Sequence, residues 1–223
     1  LAYLRPGDCV AFTKPLYGAT ASVIEKILGE FGVTWVAIED ATSVGAIRAS
    51  LEKVDPRTVK MILAETPANP SSLLCDIEAL AQVTKEMGQK AGKKPILAVD
   101  NTLLGPVFQN PLKHGADMNI YSLTKYVAGH SDLVAGAVTG SDAALAPLRT
   151  LRGWFGCQLD PNSCWMVTRS LETVALRMNK AADNARAVAE FLKTHPKIEA
   201  VNFPSLLPKG DPQRAIFDKQ CSG

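Results

Sequence analysis

The feature that most constrains this chain is an alternation of two patterns. Short apolar runs of strand length recur, and segments with apolar residues at helical spacing lie between them. Cys9-Val10-Ala11-Phe12 follows a Pro-Gly turn and reads as a strand. Thr20–Phe31 places Val23, Ile27, Leu28 and Phe31 on one helical face before Gly32 stops it. Val33–Ile38 reads as a strand, and Ser43–Leu51 as a helix broken by Asp55-Pro56. Val59–Ala64 is a buried strand ending at Glu65, and the prolines of Pro67-Ala68-Asn69-Pro70 forbid further pairing. Asp76–Met87 reads as a helix with Asp76 at its N-cap. Pro95–Val99, Met118–Tyr121 and Val134–Thr139 complete the strands. This order predicts an α/β layered fold.

Past Leu159 the texture changes. Pro161 to about Lys193 is helix-rich, with Asp160 or Asn162 able to cap its start and His195-Pro196 ending it. Residues 1–158 are therefore expected to form one α/β domain. Residues 159–223 are expected to supply long connecting helices and the start of a smaller C-terminal domain, with Ile198–Val201 as its first strand. The chain opens at Leu1 rather than methionine, and both ends read as cut from something longer.

A net charge of +2 gives no reason to expect nucleic acid or an anionic membrane surface. No apolar run approaches the roughly 18–20 residues of a membrane span. Five scattered cysteines without a CxxC pair argue against a disulfide framework or a zinc site, and fit a reduced cytoplasm.

Chemistry-bearing residues gather at strand ends: Glu65–Asn69 after one strand, Asp100–Thr102 after another, and Ser122–Lys125 after a third. Open α/β sheets bind ligands outside the carboxyl ends of their strands, so these ends are expected to share one crevice. Lys125 stands in Tyr121-Ser122-Leu123-Thr124-Lys125-Tyr126-Val127-Ala128-Gly129, and a lysine amine can form a Schiff base with a carbonyl cofactor. Asp100, ending Ile96-Leu97-Ala98-Val99, can keep a pyridinium nitrogen protonated. Ser122 and Thr124 can bind a phosphate. Those jobs together describe a site for pyridoxal 5'-phosphate (PLP). His130, Ser131 and Asp132 are too close in sequence to build a Ser-His-Asp triad and read as a turn.

The lysine and aspartate segments resemble the trans-sulfuration family of PLP-dependent enzymes, which includes cystathionine synthases and lyases, methionine gamma-lyase and homoserine sulfhydrylases. The resemblance extends from Leu4-Arg5-Pro6-Gly7-Asp8 to Leu176-Arg177-Met178 and Asn184. It implies a fold-type-I large domain, with a mostly parallel sheet flanked by helices, and usually a homotetramer built of tight dimers. Tyr17, in Leu16-Tyr17-Gly18-Ala19-Thr20, matches the family's ring-stacking tyrosine, an acid/base candidate. Asn69 matches its E-[ST]-P-x-N-P motif and would contact the cofactor's phenolic oxygen. The family's glycine-containing phosphate loop, its intersubunit arm and its carboxylate-binding arginine have no counterparts within the chain. Ala19 stands where methionine gamma-lyases carry cysteine.

The implied reaction is γ-elimination or γ-replacement on a sulfur-containing or homoserine-derived amino acid. O-acylhomoserine sulfhydrylase and cystathionine beta-lyase activities are the nearest alternatives, and a non-catalytic interaction protein is the alternative of another class. A nucleotide-binding reading lacks GxGxxG and a P-loop; Gly88-Gln89-Lys90-Ala91-Gly92-Lys93-Lys94 has the wrong spacing and reads as a solvated basic turn. A serine hydrolase would need GxSxG, which does not occur.

Overall fold

The structure, a computed structural model, describes residues 1–222. Six strands form one sheet: β1 (Cys9–Thr13), β2 (Thr34–Ile38), β3 (Val59–Glu65), β4 (Ile96–Asp100), β5 (Met118–Ser122) and β6 (Gly136–Gly140). Their order is β2-β1-β3-β4-β5-β6, parallel throughout except for the antiparallel β5–β6 pair. The expected α/β fold with a mostly parallel sheet is what the chain adopts.

Parallel strands buried on both faces need apolar residues at both parities, and the core divides accordingly. Cys9, Ala11, Ile62, Ala64, Leu97 and Val99 face one side. There they meet α2 (Val44–Leu51) and α3 (Ile77–Ala91) through Ile47, Leu51, Ile77, Leu80 and Val83. Val10, Phe12, Leu63, Ala98 and Met118 face the other side. Their cover is the π-helical turn over Val23–Leu28 that continues α1 (Gly18–Ser22), through Ile24 and Leu28, and α4 (Asp142–Phe155), through Ala144 and Leu148.

Sequence and structure part company in several places. α3 runs on through Gly88 to Ala91, so the first residues of the supposed basic turn are helical. A Cβ at Gly88 would lie 2.7 Å from the Lys94 backbone, so glycine here admits the returning chain rather than stopping the helix. Gly92, with φ +76°, is the actual C-cap. α4 has no counterpart in the sequence reading, and it accommodates Pro147 within its length. The C-terminal helical region splits into α5 (Pro161–Leu171), capped by Asp160, and α6 (Val174–Lys193). Ile198–Val201 forms no strand; no ladder partner lies beside it among the described residues.

The chain ends in α7 (Pro212–Gln220), another unanticipated helix, with Asp211 at the N-cap and Pro212 at the first helical position. It folds back onto the segment between β3 and α3. Gln213 exchanges hydrogen bonds with the backbone of Leu74 at 2.6 and 3.0 Å. Gln220 bonds Ile77 N at 3.1 Å and Cys75 O at 2.7 Å. Lys219 pairs with Asp76 and Glu78. No helix among the described residues is long and apolar enough to cross a membrane.

Leu97, fully buried on central β4, tests this core. Leu97→Ala is expected to cost about 2–5 kcal/mol. A urea titration should show the midpoint fall with little change in slope.

Candidate active site

The register fixes which side chains meet. Glu65 of β3 pairs with Asp100 of β4, and Asp100 pairs with Ile120 of β5. Glu65, Asp100 and Ser122 share the parity of Leu63, Ala98 and Ile120, so all three continue one face of the sheet past its core. Tyr17, four residues beyond the end of β1, adds a fourth strand end to the three expected.

β1 and β3 flank the point where strand order reverses, since β2 lies on one side of β1 and β3 on the other. Such switch points open a crevice at the carboxyl ends. Here the cleft measures about 300 Å³ and is lined by Tyr17, Glu65, Asn69, Asp100, Thr102, Ser122, Thr124 and Lys125, with Pro67, Leu103 and Val134 as apolar walls. All six residues singled out from the sequence line this one cleft. Lys125 also lines a second, adjoining cleft with Asp132 and Val134.

Three residues of this framework carry weight that the sequence did not reveal. Glu65 is 6% exposed. Its Oε2 accepts from Tyr17 N at 2.7 Å and its Oε1 from Asn69 N at 2.9 Å. One carboxylate therefore fixes the loop bearing the aromatic ring and the loop bearing the amide. Burial pushes its pKa up, and nearby Asp100 adds to the rise against the two backbone donors. The second is Thr102. Its hydroxyl donates to Asp100 Oδ1 at 2.6 Å and accepts from Ser122 N at 2.9 Å, joining the ends of β4 and β5. Its own N–H also reaches Asp100 Oδ1, at 3.0 Å. The third, Arg177, grips the turn after Lys125 from α6.

Thr124 is partly committed elsewhere. Its hydroxyl donates to Ala135 O at 3.3 Å and accepts from Ala135 N at 3.0 Å, closing the neck of the lysine loop. Ser122 is the freer of the two hydroxyls. His130 turns its Nδ1 onto Ala128 O at 2.6 Å, and the turn expected at His130–Asp132 is a bend.

The donor set fits PLP. An amine, a carboxylate with one oxygen engaged, an amide, two hydroxyls and an aromatic ring line a cleft within the size range of small-molecule sites. The comparisons with known proteins agree. Residues 1–223 match the family described as Cys/Met metabolism PLP-dependent enzyme. The chain belongs to that family.

Among its relatives, human cystathionine gamma-lyase is 36% identical over 221 residues, covering 99% of this chain and 52% of that protein. Cystathionine gamma-synthase of Mycobacterium tuberculosis is 38% identical over 225 residues, covering 100% of this chain and 54% of that protein. The crystal structure of MetB from Corynebacterium glutamicum superposes with a TM-score of 0.88 at 34% identity, over 99% of this chain and 54% of that one. Cystathionine gamma-lyase from Lactobacillus plantarum complexed with L-serine gives 0.87 at 31%, over 99% and 55%. The chain thus spans about half the length of the relatives it matches.

Glu65→Gln is a direct test of the carboxylate bridge. It keeps one acceptor and turns an NH2 toward a backbone N–H, so unfolding free energy at neutral pH should fall by about 1–3 kcal/mol. The pH dependence follows from the raised pKa. Between the ordinary value of 4.5 and the raised one, the native carboxyl holds more proton than the unfolded chain. Wild-type stability therefore declines as pH rises through that window, and the Gln variant should lack this slope. Denaturant titrations across pH 4–7 would read both effects.

Proposed function

We propose that this segment carries the cofactor site of an enzyme that binds PLP on Lys125 and performs γ-elimination or γ-replacement on a sulfur-containing or homoserine-derived amino acid. The observation that carries the reading is the convergence of Lys125, Asp100, Asn69, Ser122, Thr124 and Tyr17 on one cleft. Family membership, with lyases and synthases of cystathionine at similar identity, supports it. The L-serine complex of the Lactobacillus plantarum relative supports an amino-acid substrate.

When bound, the cofactor supplies an electron sink for charge developing at the substrate's α-carbon. The chain's own residues do the rest. Asp100 would present a carboxylate to the ring nitrogen and keep its proton in place. Tyr17 would stack on the cofactor ring, Asn69 would contact its phenolic oxygen, and Ser122 would donate to its phosphate; Thr124 would add a donor if its hydroxyl turned away from Ala135. The Lys125 amine would hold the cofactor and, when not bound to it, would serve as the base for the α-proton and the mobile base for the β-proton. Tyr17, with its backbone held by Glu65, is placed to protonate the departing γ-substituent.

Residues 1–158 act as the cofactor domain in this reading, and residues 159–223 begin a second one. A homotetramer of tight dimers is part of it, and Trp154, Trp165 and Phe191, each more than half exposed, offer apolar surface for such contacts. Free cysteines throughout suit a reducing, cytoplasmic setting.

Borohydride treatment of the full-length protein with PLP, followed by peptide mapping, should place the label on Lys125; label elsewhere overturns the assignment. Asp100→Asn should retain cofactor yet lower turnover by roughly two to three decades, the scale of one lost electrostatic contact in a water-poor site. Supplying methionine, cystathionine and acylated homoserines, and assaying 2-oxobutanoate, thiol and cystathionine, should reveal a γ-product. Transamination alone would defeat the reaction class.

A further inference from the structure

Lys125 sits in a single helical turn, not on a regular element. Lys125 N donates to Ser122 O at 3.2 Å, Ala128 N to Leu123 O at 2.8 Å, and Gly129 N to Lys125 O at 2.8 Å. Gly129, at φ +77°, ends the turn in the left-handed conformation. A turn this short leaves its last carbonyls without backbone partners. Two of them, on Tyr126 and Val127, directly follow the lysine.

Arg177 of α6 takes both. Its Nη1 donates to Tyr126 O at 2.7 Å and its Nη2 to Val127 O at 2.9 Å. The same guanidinium is anchored behind, with Nη2 on Ser170 O at 2.8 Å and Nε on Thr173 Oγ1 at 3.1 Å. Those anchors lie at the break between α5 and α6, so the break is what turns carbonyl and hydroxyl acceptors toward the arginine. No carboxylate is among these partners; the charge is spent on carbonyl dipoles at the negative end of the turn. The planar fork matters, since a lysine ammonium cannot span acceptors on both sides. Gly129 completes the fit: a Cβ there would fall on the guanidinium.

We propose that Arg177 is the positioning residue for Lys125, capping its turn and thereby fixing where the amine stands in the cleft. This rests on the reading of Lys125 as the cofactor-bearing lysine. It adds that the geometry of that lysine is set from the far side of its own loop by a residue outside the cleft.

The experiment compares the full-length wild type with Arg177→Ala, Arg177→Lys and Gly129→Ala. Gly129→Ala displaces the guanidinium while leaving the arginine in the chain. Hydrogen exchange is read at the amides of Ala128 and Gly129, with β3 and β4 as internal reference. The rate at which PLP is fixed to Lys125 under borohydride is read in parallel. Arg177→Ala and Gly129→Ala are expected to speed exchange at those two amides about tenfold or more, the scale of one lost charge-assisted hydrogen bond, with the strands unchanged. Labelling of Lys125 should slow by a similar factor, and Arg177→Lys should recover only part of it.

Faster exchange spread equally over the strands would overturn the proposal, because it would make Arg177 a general stability element. Local loosening with wild-type labelling rates would overturn it as well. If the wild type takes no label on Lys125, the cofactor reading fails; local loosening in the variants would then still establish the cap.

Discussion

A carboxylate buried where two parallel strands part company must find donors outside the sheet, and in this chain the search for donors builds the site. The chain leaves β1 toward one edge and returns as β3 on the other side of β1. The connections at their carboxyl ends therefore diverge, and once Lys14 N and Thr66 N have made the last ladder bonds the amides of Tyr17 and Asn69 lie beyond the sheet. Glu65 closes that gap by accepting from Tyr17 N and Asn69 N at once. The topology creates the crevice, and one side chain prevents its walls from drifting. An unmet buried carboxylate would cost more than either hydrogen bond yields, which ties the two loops to each other more firmly than to solvent.

The register has a further electrostatic consequence. Glu65 and Asp100 occupy paired positions on neighbouring strands and face the same side, so their charges oppose each other. The two are treated differently by their surroundings. Glu65 is buried and spends both oxygens on backbone amides. Asp100 spends Oδ1 on the amide and hydroxyl of Thr102, and Oδ2 receives no hydrogen bond among the described residues. One carboxylate is thus consumed by architecture while the other keeps an acceptor facing the cleft. A ligand cation there answers both the free oxygen and the repulsion between the pair.

Most of this was legible in the sequence, and the parts that were not share a cause. Period-2 burial on two faces writes strands as unbroken apolar runs, so β1, β3 and β4 stood out. Asp76 and Asp160 announced helix starts because capping is a local bond, three residues long. Asp100, Ser122, Thr124 and Lys125 could be read because they sit at or just past such runs, whereas Tyr17 and Asn69 were read from the family resemblance. Glu65 was visible as part of a motif, but its partners lie 48 and 4 residues away. Nothing local distinguishes a bridging carboxylate from a strand-end cap. Arg177 is 50 residues from the carbonyl it holds on Val127. Its helical neighbours conceal it as one more charged position on an amphipathic segment. Gly88 misled for the opposite reason: it is a breaker by local rule, and tertiary packing overrode the rule.

Lys125, with Thr124 beside it, is placed differently from the other site residues. Tyr17, Asn69, Asp100 and Ser122 lie at or just past the ends of parallel strands, whose positions are set by their ladder partners in the sheet. Lys125 lies in the connection between β5 and β6, the only antiparallel pair among the described residues, where the chain reverses without a crossover helix. The connection is instead held at two points. Its neck is closed by the reciprocal bonds of Thr124 and Ala135, and its turn is held from behind by Arg177. Groups that only hold a ligand belong on rigid strand ends, where a small displacement would cost binding geometry. On the proposed reading, a lysine that first holds a group, then releases it and acts as a base, needs freedom to move along one path. A loop pinned at its base and on its back, but not along its cleft-facing side, supplies that freedom.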